Sequence, residues 1–297
     1  MIDYQSFISY LQKEKRASIH TVTAYQGDLV QFAEYMSQKL EITSTQDITS
    51  NDIRTWIMTL LEDEHDSGRT VRRKISALKA FYRYEVKIGV VRSNPMSTIQ
   101  SPACKKRLPT YVEQADMEKL FSENLFADTF EGFRDRTIIE LFYATGMRLT
   151  ELLNIKKQDI NFYENSIKVL GKRDKERIIP FGNNMRDLLT KHLEYYQKKI
   201  VPENENYYIF VAGNGKKLYP KAVYRIVRKY LDMVTTIDKR SPHVIRHTFA
   251  THMLNNGADL NAIKEILGHS NLAATQVYTH NSIEQLKSIY KQAHPRA

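Results

Sequence analysis

The rhythm of the apolar residues constrains this chain more than any other feature. Through roughly the first ninety residues they recur at spacings of three and four. Tyr4, Phe7, Ile8 and Leu11 are followed by Val22, Tyr25, Leu29, Phe32 and Met36. Ile53, Trp56, Ile57, Leu60 and Leu61 come next, then Val71, Ile75, Leu78, Phe81 and Tyr82. A period near 3.6 gathers such positions on one helical face, whereas a strand alternates with a period of two. The pattern predicts four helices, separated by polar breaks near Ala17, across Glu41–Ser50 and at Asp66–Gly68.

Beyond this array the rhythm stops. Residues 93–109 hold three prolines and the Lys105-Lys106-Arg107 cluster with little periodicity, and they read as a linker between two domains. The helical pattern resumes at about 114–122 and 133–145, then at about 184–198, 220–235, 243–255, 259–267, 271–278 and 283–292. Ser166–Leu170 and Arg177–Pro180 read as two short strands around the charged turn Gly171–Glu176. Tyr207–Val211 is a further short apolar run, ended by Gly213-Asn214-Gly215. The expected fold is mainly α with a small β-sheet, in two domains.

Charge narrows the possible partners. Lys plus Arg number 44 against 34 Asp plus Glu, a net charge of +10. The excess lies in both halves: residues 1–107 hold 16 basic and 12 acidic residues, the remainder 28 and 22. A polyanion wrapped by both domains fits this better than a basic tail on a neutral enzyme. Cys104 is the single cysteine, which excludes an intrachain disulfide and a multi-cysteine zinc site. The N-terminus is charged and amphipathic, unlike a signal peptide, and no run approaches the roughly 18 apolar residues of a membrane span. A soluble, cytoplasmic protein is expected.

Polar residues interrupt otherwise apolar helices in three places. In ATGMRLTEL, Gly146 ends one helix and Thr150 can open the next, so Arg148 sits at a helix-to-helix corner. Its plain reading is an ion pair with Glu151. In HVIRHTFATHML, His243 and Arg246 share a face, one helical turn apart. His243 and His247 have the spacing of a zinc-binding helix, but Val244 stands where that motif needs Glu and no third ligand is near. No metal is expected there; an anion site of Arg and His fits the residue types. In LGHSNLAATQVYTH, Gly268 stops a helix beside His269, and Tyr278 closes the next. Taken alone, Tyr278 reads as a core residue, and the hairpin cations Lys172, Arg173 and Lys175 as a solvated tip. Arg69, Arg72, Arg73, Lys74, Lys79 and Arg83 form a basic stripe on the fourth helix, whose plain reading is a solvated face.

In combination these segments resemble the tyrosine site-specific recombinases of the phage-integrase family, particularly the Xer type. The matching phrases are ATGMRLTEL, GKRDKERIIP, HVIRHTFATHML and LGHSNLAATQVYTH, in that order, and the resemblance covers essentially the whole chain. It implies a helical, SAM-like core-binding domain over 1–92, a linker over 93–109 and an α+β catalytic domain over 110–297. It implies Tyr278 as the nucleophile of a 3′-phosphotyrosyl intermediate, with Arg148 and Arg246 clamping the scissile phosphate. His243 would assist proton transfer, Lys172 would protonate the leaving 5′-oxygen, His269 would hydrogen-bond a phosphate oxygen, and Glu151 would orient its neighbours. Arg173 stands where the family often has Gly, which leaves Lys175 as the alternative acid. Arg72, Arg73, Lys79, Arg173 and Lys175 would contact DNA.

The resemblance implies no cofactor, no metal and no ATP, and the chain has no P-loop. Its implied partners are a double-stranded recombination site and a homo- or hetero-tetrameric synapse, with a second related recombinase and a septal DNA translocase as regulator. The final helix, from Ile283 to Tyr290, would dock in a neighbouring subunit. The implied role is resolution of chromosome dimers at segregation. A compact integrase of a mobile element is the alternative, and a type IB topoisomerase a more distant one. An arm-binding domain, which integrases often carry first, has no room before a helical pattern that begins within the first residues.

Overall fold

The computed structural model describes residues 2–103, 110–171, 176–200, 206–268 and 280–296, without the side chains of 280–285. It divides into two compact units, 1–107 and 108–297.

The first unit contains α1 (Gln5–Lys13), α2 (Ile19–Lys39), α3 (Ser50–Glu62) and α4 (Gly68–Lys87), as the periodicity predicts. Each start after the first is set by a side-chain cap that satisfies an otherwise orphaned backbone N–H. Ser18 accepts from Thr21 N–H and Ser67 from Thr70 N–H. Thr49 and Asp52 form a reciprocal capping box. The apolar faces meet in one core around Trp56, Phe32, Phe81 and Met36, with the Trp56 and Phe32 rings edge to face at 5.0 Å. Leu61 departs from the expectation and is 37% exposed, while Leu60 is fully buried. Adjacent helical residues point about 100° apart, so a narrow stripe takes only one of them. The start of the expected linker is packed: Met96 and Ile99 are buried in this core, and Ser50 Oγ donates to the Pro95 carbonyl at 2.7 Å.

The basic stripe on α4 is not uniform. Lys74 is buried, donating to Asp66 at 2.6 Å and to Gln31. Arg73 donates to the buried Asp28, and Arg72 Nε to the Pro102 carbonyl at 2.9 Å. Lys74 therefore leaves the solvated stripe, because a buried carboxylate or ammonium needs a counter-ion.

The second unit is built around α6 (Phe130–Thr145), which is buried on nearly every side between α8 (Asn183–Lys199), α9 (Pro220–Leu231) and α10 (Pro242–Asn255). Such a helix carries no single apolar stripe. It begins three residues before the expected start, where Thr129 caps it by accepting from Gly132 N–H. Gly132 is required there, since a Cβ would lie 2.0 Å from the Ala127 carbonyl oxygen. The remaining helices are α5 (Gln114–Ser122), α7 (Leu149–Asn154), α11 (Leu260–Leu267) and α12 (His280–Ala293).

The sheet is antiparallel in the order β1 (Ile160–Asn161), β2 (Ser166–Leu170), β3 (Glu176–Pro180). Val169 pairs with Arg177 and Ile167 with Ile179. The run at Tyr207–Val211 forms only isolated bridges, Lys156 to Tyr208 and Val211 to Lys217. Docking of α12 in a neighbouring subunit would need a second chain; within this one, Leu286, Tyr290 and Ala293 bury their side chains in the core of their own unit, and Asn256 Nδ2 donates to the Ala293 carbonyl at 2.8 Å. An apolar face must be covered, and in the single chain α10, α11 and β3 cover it.

Candidate active site

Two tight backbone reversals organise the site. Helix α6 ends at Gly146 (φ +58°) and α11 at Gly268 (φ +64°), both in the left-handed region that favours glycine. A Cβ on Gly146 would lie 2.5 Å from the Phe249 ring and 2.7 Å from Leu267. A Cβ on Gly268 would lie 3.1 Å from the Arg177 side chain. The absence of both side chains lets the ends of α6 and α11 close on the arginines between them.

Arg148 is the N-cap residue of α7. Its backbone N–H donates to Glu151 Oε2 at 2.7 Å and its Nη1 to Glu151 Oε1 at 2.9 Å, while Nη2 reaches the Gly268 carbonyl at 2.8 Å. The expected Arg148–Glu151 pair is thus present, yet the Arg148 side chain keeps 31% exposure. Arg246, on the first turns of α10, is buried. Its Nη1 donates to the Gly146 carbonyl at 2.6 Å and its Nη2 to the Leu267 carbonyl at 2.8 Å. Arg246 is aimed by carbonyls of both helix ends, and Arg148 by Glu151 and the carbonyl that ends α11. His243 lies exposed on the first turn of α10, which Ser241 caps and Pro242 opens.

The electrostatics follow from burial. Burial pushes the Glu151 carboxyl up, but hydrogen bonds and charge from Arg177 outweigh it, followed by the Arg148 N–H and guanidinium. The net result holds the carboxyl down at about 2. Burial first, then the charge of Arg148, lowers Arg246 to about 10. Partial desolvation, then Arg246, His247 and Arg148, hold His243 below its usual value, so its imidazole is neutral near pH 7. One carboxylate stands among three guanidiniums, which leaves an excess of positive charge beside an exposed face. An anion there meets a concentration of positive charge, with Arg148 on its exposed side and a neutral imidazole beside it able to accept a proton.

Arg177 was not singled out as a site residue from the sequence. It lies on β3 and is 5% exposed. The signal was its position: Arg177 shares a strand face with Ile179, and that face is buried. Lys172, Arg173, Lys175, His269 and Tyr278, with the helix expected at 271–278, lie outside the described residues. Among the described residues there is no His, Cys, Asp and Glu group that could hold a metal ion, and no helix long and apolar enough to cross a membrane.

Residues 110–285 match the phage integrase family, and residues 4–89 match the phage integrase N-terminal SAM-like domain. The chain belongs to the phage integrase family. It is 39% identical over 293 residues to the tyrosine recombinase XerC of Staphylococcus aureus, covering 98% of this chain and 96% of that one. It is 34% identical over 317 residues to the tyrosine recombinase XerC of Chlorobaculum parvum, covering 99% and 94%. These relatives place it among the Xer-type, site-specific tyrosine recombinases. Its fold is shared with the XerH recombinase bound to palindromic difH substrate in a post-cleavage complex, with a TM-score of 0.72 at 21% identity over 99% of this chain and 82% of that one. It is shared also with the Tn1549 transposon integrase in complex with circular intermediate DNA, with a TM-score of 0.71 at 19% identity over 96% and 99%.

Proposed function

We propose that this recombinase cuts and rejoins a duplex recombination site through a 3′-phosphotyrosyl intermediate at Tyr278, and that it resolves chromosome dimers in the cytoplasm. The observation that carries the reading is the convergence of Arg148 and Arg246 on the carbonyls of Gly146, Leu267 and Gly268, immediately before His269.

The Tyr278 oxygen attacks the phosphorus, and the 5′-oxygen of the next nucleotide leaves. A hydroxyl from a second duplex then reverses the step without an external energy source, since the phosphodiester is conserved as a phosphotyrosyl bond. Arg148 and Arg246 hold the non-bridging oxygens, where negative charge grows in the transition state. Each such preorganised contact is worth on the order of 10²–10³ in rate. His243 accepts the phenol proton, a role that needs the neutral imidazole its surroundings favour. Lys172 gives a proton to the 5′-oxygen, and His269 donates to a phosphate oxygen.

Residues 1–92 bind the core of the site, 93–109 link, and 110–297 carry the chemistry. Arg72, Arg73, Lys79, Arg173 and Lys175 contact the DNA backbone, with Arg73 and Arg72 already engaged by Asp28 and Pro102 in the free protein. Two pairs of subunits form the synapse with a related recombinase, under the control of a septal DNA translocase.

The test is incubation with candidate recombination sites, followed by mapping of the covalent adduct. The expected adduct joins Tyr278 to a 3′-phosphate. An adduct that persists in Tyr278→Phe refutes the reading.

A further inference from the structure

We propose that Arg177 is a positioning residue for strand cleavage: its guanidinium sets the geometry of Arg148, through Glu151, and of the turn at Gly268. The inference rests on the cleavage reading above and adds a residue to it.

The geometry is specific to an arginine. Nη1 and Nη2 of Arg177 donate to Oε1 and Oε2 of Glu151 at 2.7 and 2.8 Å, a two-pronged clamp that fixes the plane of the carboxylate. Glu151 in turn holds Arg148 by both its backbone N–H and its Nη1. The third donor, Nε, reaches the Ile266 carbonyl at 2.9 Å, in the last turn of α11. The same side chain lies flat against Gly268, whose carbonyl accepts from Arg148 Nη2. Arg177 thus joins β3, the start of α7 and the end of α11. Lys172 precedes β3, Arg148 caps α7, and His269 follows α11. Arg177 itself is 5% exposed and makes its hydrogen bonds inward, so it is placed to act through Arg148 rather than on the phosphate.

A buried ion pair is poor evidence of net stability, because desolvation offsets much of the attraction. Partners that orient the ligands of a metal typically change activity about 10–100-fold when removed, and a residue that orients a phosphate-binding arginine acts by the same geometry. Lysine keeps the charge but has one nitrogen, which cannot occupy both Glu151 oxygens and reach Ile266 at once.

The test uses the full chain, a nicked synthetic duplex carrying the recombination site, and single-turnover cleavage at saturating DNA. DNA affinity is measured in parallel by mobility shift, and folding by far-UV circular dichroism. Arg177→Lys is expected to cleave about 10–100-fold more slowly with its DNA Kd within about threefold of wild type. Arg177→Met combined with Glu151→Gln removes both buried charges; it is expected to lose no more than the worse single variant, as for residues acting as one unit. If Arg177→Met alone does not fold, the double variant is compared with Glu151→Gln, whose cleavage loss it should match.

Wild-type cleavage in Arg177→Lys overturns the proposal. So does a loss of DNA affinity and folding in proportion to cleavage, which marks a structural strut. Losses that multiply in the double variant overturn it as well. If wild type forms no Tyr278 adduct, the cleavage reading itself fails and this inference falls with it.

Discussion

Replacing Glu151 by Gln isolates the charge at the centre of the site without changing its volume. The wild-type carboxyl is held at about 2, against 4.5 for an unhindered glutamate. That difference is worth about 3 kcal/mol at neutral pH. Removing one partner of a buried pair typically costs about 3–5 kcal/mol, a similar figure. The amide also turns an N–H₂ toward guanidiniums that can only donate, leaving Arg177 and Arg148 facing each other with one acceptor oxygen between them.

The pH dependence fixes the mechanism. A carboxyl whose folded pKa is depressed contributes its full stabilisation above its unfolded value and loses it as pH falls toward the folded one. The gap between wild type and Glu151→Gln is therefore flat above about pH 5 and shrinks to about half near pH 3.3. Urea unfolding by far-UV circular dichroism measures the gap. Fluorescence of Trp56, the single tryptophan, reports the first unit separately. A gap under about 0.5 kcal/mol at pH 7, or one that does not change between pH 5 and 3.3, would refute the claim that this charge is held by Arg177 and Arg148.

Three other perturbations separate the remaining claims. His294 is buried and hydrogen-bonded to the Tyr143 carbonyl; burial first, with that bond opposing, lowers it from 6.5 to about 4. The folded unit therefore loses stability as pH falls from about 6.5 toward 4, and His294→Gln should flatten the slope by about 1.4 kcal/mol per pH unit in a urea series. This window lies above that of Glu151. Gly146→Ala forces a side chain against Phe249 at 2.5 Å in a left-handed backbone. It should cost about 2–4 kcal/mol, measured by thermal unfolding, and cleavage should drop because the Gly146 carbonyl aims Arg246. Arg73→Ala leaves Asp28 buried without its partner, so the Trp56 urea midpoint should fall by the equivalent of about 1–3 kcal/mol. An unchanged midpoint marks Arg73 as a free surface cation.

Helices with one apolar stripe were legible because each carries its own answer. Val22, Leu29, Phe32 and Met36 name their face by spacing alone. Central helix α6 was legible as a helix but not as the buried axis of its unit, because its surroundings are decided by α8, α9 and α10. The start of the linker read as irregular, but Met96 and Ile99 fold back onto the first core. Polar side chains at helix corners pointed to Arg148 and Arg246, and the family resemblance supplied their roles. Arg177 drew no attention as a site residue, since in sequence it is one cation in a charged hairpin.

By itself, then, the sequence determined most of the helices and strands, the glycines that end α6 and α11, the basic balance of both halves and the residue types from which the site is built. These depend on spacings of three, four or two residues and on composition, which act over a single turn or strand. Only the tertiary structure decided which cations are spoken for. Arg148 meets the Gly268 carbonyl across 120 residues, Arg246 meets Gly146 across 100, and Arg177 meets Glu151 across 26. The physical reason is that burial makes an unpaired charge costly, so Lys74 and Arg177 find partners that no local pattern specifies, and Arg148 keeps an exposed face.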